Sequence, residues 1–168
     1  MSEKASSTAC ILIAEDDESN RKVTYAMLKH LGYRADAVSN GREALLALKQ
    51  NHYDIILMNL RMPEMDGIEA TRLIREHCPP SHQPKIIALT AHVLPNSREI
   101  CLEAGMNDFI AKPVKMNDLA KILSKHLQIL QRQTAFMRLQ AKAFKTMDSL
   151  PKRGKLALSF KQNLCLKN

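Results

Sequence analysis

At 168 residues the chain has room for one packed domain and a modest extension, which excludes two full cores. Its 45% apolar and 25% charged residues are the proportions of a soluble globular protein, and no apolar run approaches the length of a membrane span. The formal charge of +8 resides in residues 131–168, where nine Lys/Arg face the single acid Asp148, so the chain reads as a neutral domain over 9–130 and a basic tail over 131–168.

Cys10-Ile-Leu-Ile-Ala14 is a short apolar run, read as a buried strand that ends at the acidic Glu15-Asp16-Asp17-Glu18. From Asn20 to Leu31 a helical stripe (Val23, Met27, Leu28, Leu31) closes at Gly32. Tyr33 to Val38 is a second strand, and Ser39-Asn40-Gly41 opens a helix striped by Ala44, Leu45 and Leu48 that ends near Asn51. Asp54 to Met58 is a third strand. The turn from Met62 to Gly67 leads to a helix over Ile68 to about Glu76, followed by a proline loop from Cys78 to His82. Lys85 to Thr90 is a fourth strand, and a helix runs from about Pro95 to Ala104. Asp108 to Ala111 is a fifth strand, and the last helix begins near Asn117. Apolar strands alternating with helices mean an α/β fold whose parallel sheet is covered on both faces, and the doubly wound order expected is the flavodoxin-like 2-1-3-4-5.

In such a sheet ligands sit beyond the carboxyl ends of the strands, and those ends carry Glu15-Asp16, Asn59, Thr90 and Lys112. Paired carboxylates suit Mg²⁺, a threonine offers a hydroxyl to an anion, and a lysine offers a point positive charge. Each has an ordinary reading taken singly, since a Glu-Asp pair is most often a solvated loop. Together, at successive strand ends, they describe a pocket for a cation and a phosphoryl group.

Four segments carry a more specific likeness: Ile-Leu-Ile-Ala-Glu-Asp-Asp-Glu-Ser-Asn from position 11, Asp-Ile-Ile-Leu-Met-Asn-Leu-Arg-Met-Pro-Glu-Met-Asp-Gly from 54, Ile-Ile-Ala-Leu-Thr-Ala from 86 and Phe-Ile-Ala-Lys-Pro from 109. The chain resembles, from residue 9 to about 130, the receiver domains of two-component response regulators, above all those of phosphorelays and hybrid kinases. The resemblance implies that Glu15 and Asp16 form the acidic pair and that position 59 is the phosphoacceptor. It implies the Arg61 backbone carbonyl as a further Mg²⁺ ligand, Thr90 and Lys112 as phosphoryl-binding groups, and Phe109 as the aromatic switch residue. Pro113 would follow a cis peptide bond. The implied partners are a histidine kinase or a histidine phosphotransfer protein, and a downstream target on the helix 4–strand 5–helix 5 face.

The sequence departs from that pattern at Asn59, where the family has aspartate. A carboxylate oxygen attacks phosphorus to give an acyl phosphate. An amide oxygen is a poor nucleophile and its nitrogen lone pair is delocalised, so phosphotransfer and autophosphorylation should be lost. The isosteric amide should preserve the fold while weakening Mg²⁺. Two accounts stand open: an introduced substitution in an ordinary phosphoacceptor whose natural residue is aspartate, or a natural pseudo-receiver that works by binding partners. Asp66 reads as a helix cap and Asp17 as a solvated loop residue. His77 and His82 flank a proline loop with poor metal geometry, and His92 reads as a pocket-rim side chain.

Cys10, Cys78, Cys101 and Cys165 are far apart, with no Cys-x-x-Cys pair, and the N-terminus lacks a signal-peptide core. A cytoplasmic protein with reduced thiols is expected. In the tail, apolar residues from Leu119 to Phe144 recur at helical spacing, and Ser149-Leu-Pro151 should stop that helix. Lys152-Arg153-Gly154-Lys155 is a basic cluster, and Leu156, Leu158 and Phe160 alternate like a strand. The tail reads as a partly disordered extension, with a homodimerising or docking helix and an adaptor segment for nucleic acid or membrane as the alternatives. No DNA-reading motif is present, so sequence-specific DNA binding is not expected.

Overall fold

The computed structural model describes residues 9–80, 83–91 and 95–148. Ten elements alternate: β1 (Cys10–Ala14), α1 (Glu18–His30), β2 (Arg34–Val38), α2 (Gly41–Gln50), β3 (Ile55–Asn59), α3 (Gly67–His77), β4 (Lys85–Thr90), α4 (Pro95–Glu103), β5 (Asp108–Ala111) and α5 (Met116–Asp148). All four strand pairings are parallel and the order is β2-β1-β3-β4-β5, the flavodoxin-like sheet expected from the alternation.

Strand alternation divides the core. Leu12, Ile56, Met58, Ile86 and Ala88 pack with Ala44 of α2, Ala70 and Ile74 of α3 and Cys101 of α4. Ile11, Ile13, Ile55, Leu57, Ile87 and Leu89 face the other way, onto Leu28 of α1 and Leu119 and Leu123 of α5. This double coverage is why the central strands read as unbroken apolar runs. The edge strand β2, with Arg34 and Asp36 exposed, is the exception.

Helix starts are set by side-chain caps that satisfy orphan N–H groups. Asn40 accepts from the Glu43 N–H at 2.8 Å while the Glu43 carboxylate accepts from the Ser39 N–H at 2.8 Å, a reciprocal cap. Asp66 accepts from the Glu69 N–H at 2.8 Å, the capping role expected of it. Asp17 corrects its expected role as a merely solvated residue: it accepts from the Asn20 N–H at 2.7 Å and so starts α1 at Glu18, two residues earlier than the apolar stripe suggested. Asp108 ties β5 to α5, accepting from Lys125 at 2.7 Å and sitting 3.0 Å from His126 Nε2. Burial alone would raise its carboxyl, but the Lys125, His126 and Phe109 N–H hydrogen bonds outweigh this and hold it below the usual range. Its stabilising contribution is therefore present above the ordinary carboxylate pKa and lost as pH falls through the lowered value.

The chain forms two compact units, the first ending at Leu127 and the second beginning at Gln128. In the second, residues 128–148 are helical and side chains 131–141 are all exposed. The helix runs on to Asp148, past Phe144, the last of the apolar residues that recur at helical spacing. The expected stop at Ser149-Leu-Pro151, the Lys152–Lys155 cluster and the alternation of Leu156, Leu158 and Phe160 lie outside the described residues. Among the described residues, no helix is long and apolar enough to cross a membrane.

Candidate functional site

Glu15 follows β1, where its N–H donates to Val38 O at 3.1 Å, and its side chain is only 1% exposed. The adjoining Asp16 is exposed. Arg21 on α1 reaches back over this loop, its Nη1 donating to Glu15 O at 2.7 Å and Asp16 O at 3.3 Å. β3 runs one residue further than its apolar run, so Asn59 is its last residue, paired with Leu89 and 9% exposed.

The Asn59 side chain meets the acidic pair. Its Nδ2 donates to Glu15 Oε1 at 3.0 Å, Asp16 Oδ1 at 2.7 Å and the Arg61 backbone carbonyl at 2.9 Å. With the amide turned the other way, Oδ1 would face two carboxylates and a carbonyl with no proton between them, so the surroundings fix its orientation. Lys112, just after β5, places Nζ 2.5 Å from Glu15 Oε2. Thr90, buried at the end of β4, accepts at its carbonyl from the Lys112 N–H at 2.8 Å. Phe109 is half-buried in β5 with the Arg98 guanidinium 5.5 Å from its ring centroid, within cation–π range. The Lys112–Pro113 peptide is cis.

The structure thus brings Glu15, Asp16, Asn59 and the Arg61 carbonyl into one hydrogen-bonded cluster with Lys112 ion-paired to it, joins Thr90 to it through the backbone, and sets Phe109 three residues before Lys112 against Arg98. Among the described residues no group of three or more His, Cys, Asp and Glu side chains is placed to hold a metal ion. Of the strand-end residues Glu15, Asp16, Asn59, Thr90 and Lys112, two are carboxylates, and an amide stands where a third would be. His77 is occupied by its own helix, with Nδ1 2.9 Å from Leu73 O. His82 and His92 lie outside the described residues.

Two site residues were invisible to sequence reasoning. Arg21 looks like any polar residue of α1, and nothing in its spacing from Glu15 announces the clamp. Gly67 reads only as part of a turn. A Cβ there would lie 2.3 Å from the Asn59 carbonyl oxygen and 2.9 Å from Met58 Cγ, so glycine is what lets α3 start against the end of β3. Gly67→Ala should lower unfolding stability by about 1–3 kcal/mol, the usual cost of overpacking, measured by urea denaturation. An unchanged midpoint would show that the strand end yields freely.

A doubly wound sheet with an acidic pair, a lysine and a threonine at its carboxyl ends defines a signalling receiver. Residues 11–124 match the response regulator receiver domain, and the chain belongs to that family. It is 44% identical over 128 residues to hybrid signal transduction histidine kinase B of Dictyostelium discoideum, covering 70% of this chain and 6% of that kinase. It is 44% identical over 124 residues to histidine protein kinase 1 of Candida albicans, covering 68% of this chain and 5% of that one. The chain therefore spans a small part of these kinases. Among solved structures it is similar to the receiver domain of a sensor histidine kinase from Pseudomonas aeruginosa PAO1, crystallised with a magnesium ion coordinated in the active site cleft. That match has 43% identity and a TM-score of 0.66, over 73% of this chain and 99% of that one. It is also similar to the chemotaxis protein CheY4 of Vibrio cholerae, at 26% identity and a TM-score of 0.66, over 71% of this chain and 98% of that one.

Proposed function

We propose that this receiver acts in two-component signalling as a protein-interaction module, with phosphotransfer disabled because position 59, the phosphoacceptor place, is an amide. The observation that carries this reading is the engagement of Asn59 Nδ2 by Glu15, Asp16 and the Arg61 carbonyl. The amide turns donor protons toward the oxygens that would hold Mg²⁺ and has no carboxylate oxygen with which to attack phosphorus. Those oxygens suit a hard cation, so Glu15, Asp16 and the Arg61 carbonyl remain its ligands in this reading. Binding is weakened because the Asn59 amide must first turn its oxygen inward, and because Lys112 already pairs with Glu15.

The partner is a histidine kinase or a histidine phosphotransfer protein. A cleft of about 310 Å³ beside the acidic pair, lined by Asn20, Val23, Thr24, Lys112, Pro113 and Val114, supports docking there. The half-exposed Ile100 and Leu102 of α4 support a downstream target on the α4–β5–α5 face. The compartment assigned is the cytoplasm, in keeping with the free thiols of Cys10, Cys78 and Cys101. The retained acidic pair and Lys112 equally favour a second reading, an ordinary phosphoacceptor whose natural residue 59 is aspartate; the codon in the encoding gene separates the two.

Beryllofluoride mimics a phosphoryl group only when an aspartate oxygen ligates it. Backbone amide shifts around Thr90 and Phe109 should stay fixed when beryllofluoride and Mg²⁺ are added, and should move in Asn59→Asp. Movement in the protein with Asn59 would overturn the proposal.

A further inference from the structure

We propose that the second unit is a self-association helix: residues 129–147 pack along a seven-residue seam against the same segment of a second copy of this chain. Residues 128–148 are helical, yet side chains 131–141 are all exposed, with Phe136, Met137 and Leu139 at 60%, 59% and 67%. Over residues 131–141, three turns, the helix buries no face, and helices in proteins draw most of their stability from packing an amphipathic face, so this segment calls for a partner that covers it.

The sequence of the helix says which face is covered. Apolar pairs recur every seven residues, as Ile129-Leu130, Phe136-Met137 and Ala143-Phe144. Between them on the same side fall only Gln133, Thr134, Gln140, Ala141 and Met147, so this side carries no charge until Asp148. Arg132, Arg138, Lys142 and Lys145 all occupy the three remaining positions of the repeat. Four adjacent heptad positions are thus uncharged and three carry every base, the division expected of a helix that buries one face against another helix. The seam is roughly 28 Å long at 1.5 Å per residue, close to three heptads.

The two glutamines choose the occupant. Gln133 and Gln140 sit seven residues apart in the middle of the uncharged face. Laid on acyl chains, both amides would be buried without partners, at a cost of several kcal/mol on a hydrocarbon scale. Laid on the same seam of a second copy, amide meets amide, and each has donors and an acceptor to exchange. Polar core residues of this kind fix register in paired helices. The bases of the two copies fall at positions of the repeat off the seam, so like charges are not opposed across it.

Sedimentation of the full chain over micromolar to hundred-micromolar concentrations should show a reversible dimer. Met137→Glu, on the seam, should weaken it by roughly tenfold or more. Leu139→Glu removes a more exposed apolar residue from the outer face and should leave the dimer unchanged. Replacing Gln133 and Gln140 together by leucine should tighten association. Three results would overturn the proposal: a chain monomeric throughout, equal losses from Met137→Glu and Leu139→Glu, which means unspecific apolar contact, or weaker association of the double leucine variant. So would a monomeric chain that floats with phosphatidylserine vesicles, since the face would then belong to a lipid surface.

Discussion

Incubation with acetyl phosphate and Mg²⁺ leaves the intact mass of the protein unchanged, whereas Asn59→Asp gains a single phosphoryl group. This is the largest effect expected, because it is all or nothing. Phosphorylation at position 59 forms a bond from a side-chain oxygen to phosphorus while the donor's P–O bond breaks and its acetate leaves. A carboxylate supplies the electron pair and ends as a mixed anhydride. The Asn59 amide has a weakly nucleophilic oxygen, and its nitrogen already donates to three acceptors between 2.7 and 3.0 Å. In the aspartate variant Lys112, now 2.5 Å from Glu15 Oε2, is close enough to serve the incoming anion instead. The adduct should be stable in acid and labile in base, as an acyl phosphate is. A phosphoryl adduct on the protein with Asn59 would mean that another residue accepts phosphate, and would sink this account of the position.

Mg²⁺ should bind Asn59→Asp at least tenfold more tightly, about 1.4 kcal/mol, by calorimetric or NMR titration. In the present chain the Asn59 amide supplies the protons that the acidic pair and the Arg61 carbonyl need, so a cation must displace hydrogen bonds before it gains ligands. With aspartate in the same place, three carboxylates and a carbonyl converge with no donor proton from position 59 between them, and Lys112 is the cation paired there, with Glu15. Two like charges about 4 Å apart repel by roughly 4 kcal/mol at an effective dielectric near 20, which a divalent cation reverses. It follows that the aspartate variant without Mg²⁺ unfolds at lower urea than the protein with Asn59, and that added Mg²⁺ narrows the gap by mass action. Equal affinities in the two proteins would show that position 59 does not face the cation.

Much of the fold was legible in the sequence because its information is local. The buried central strands Cys10–Ala14 and Lys85–Thr90 appear as apolar runs with boundaries that match the structure, since a strand covered on both faces has no polar side to blur it. Where boundaries moved, a cap or a strand pairing moved them. Asp17 turned a loop residue into the start of α1, and pairing with Leu89 drew Asn59 into β3.

The site divides in the same way. The amino-acid sequence by itself determined which groups stand at the strand ends, Glu15, Asp16, Asn59, Thr90 and Lys112, because strand-then-helix alternation dictates where a doubly wound sheet presents its residues. It also determined that position 59 lacks a nucleophile, which is a matter of composition. Only the tertiary structure decided that the Asn59 amide points its protons into the acidic pair, that Lys112 pairs with Glu15 rather than with solvent, and that Arg21 and Gly67 hold the neighbouring backbone. The first two facts depend on distances between residues more than 40 positions apart in the chain, as from Glu15 to Asn59, and no local pattern encodes a distance across a sheet.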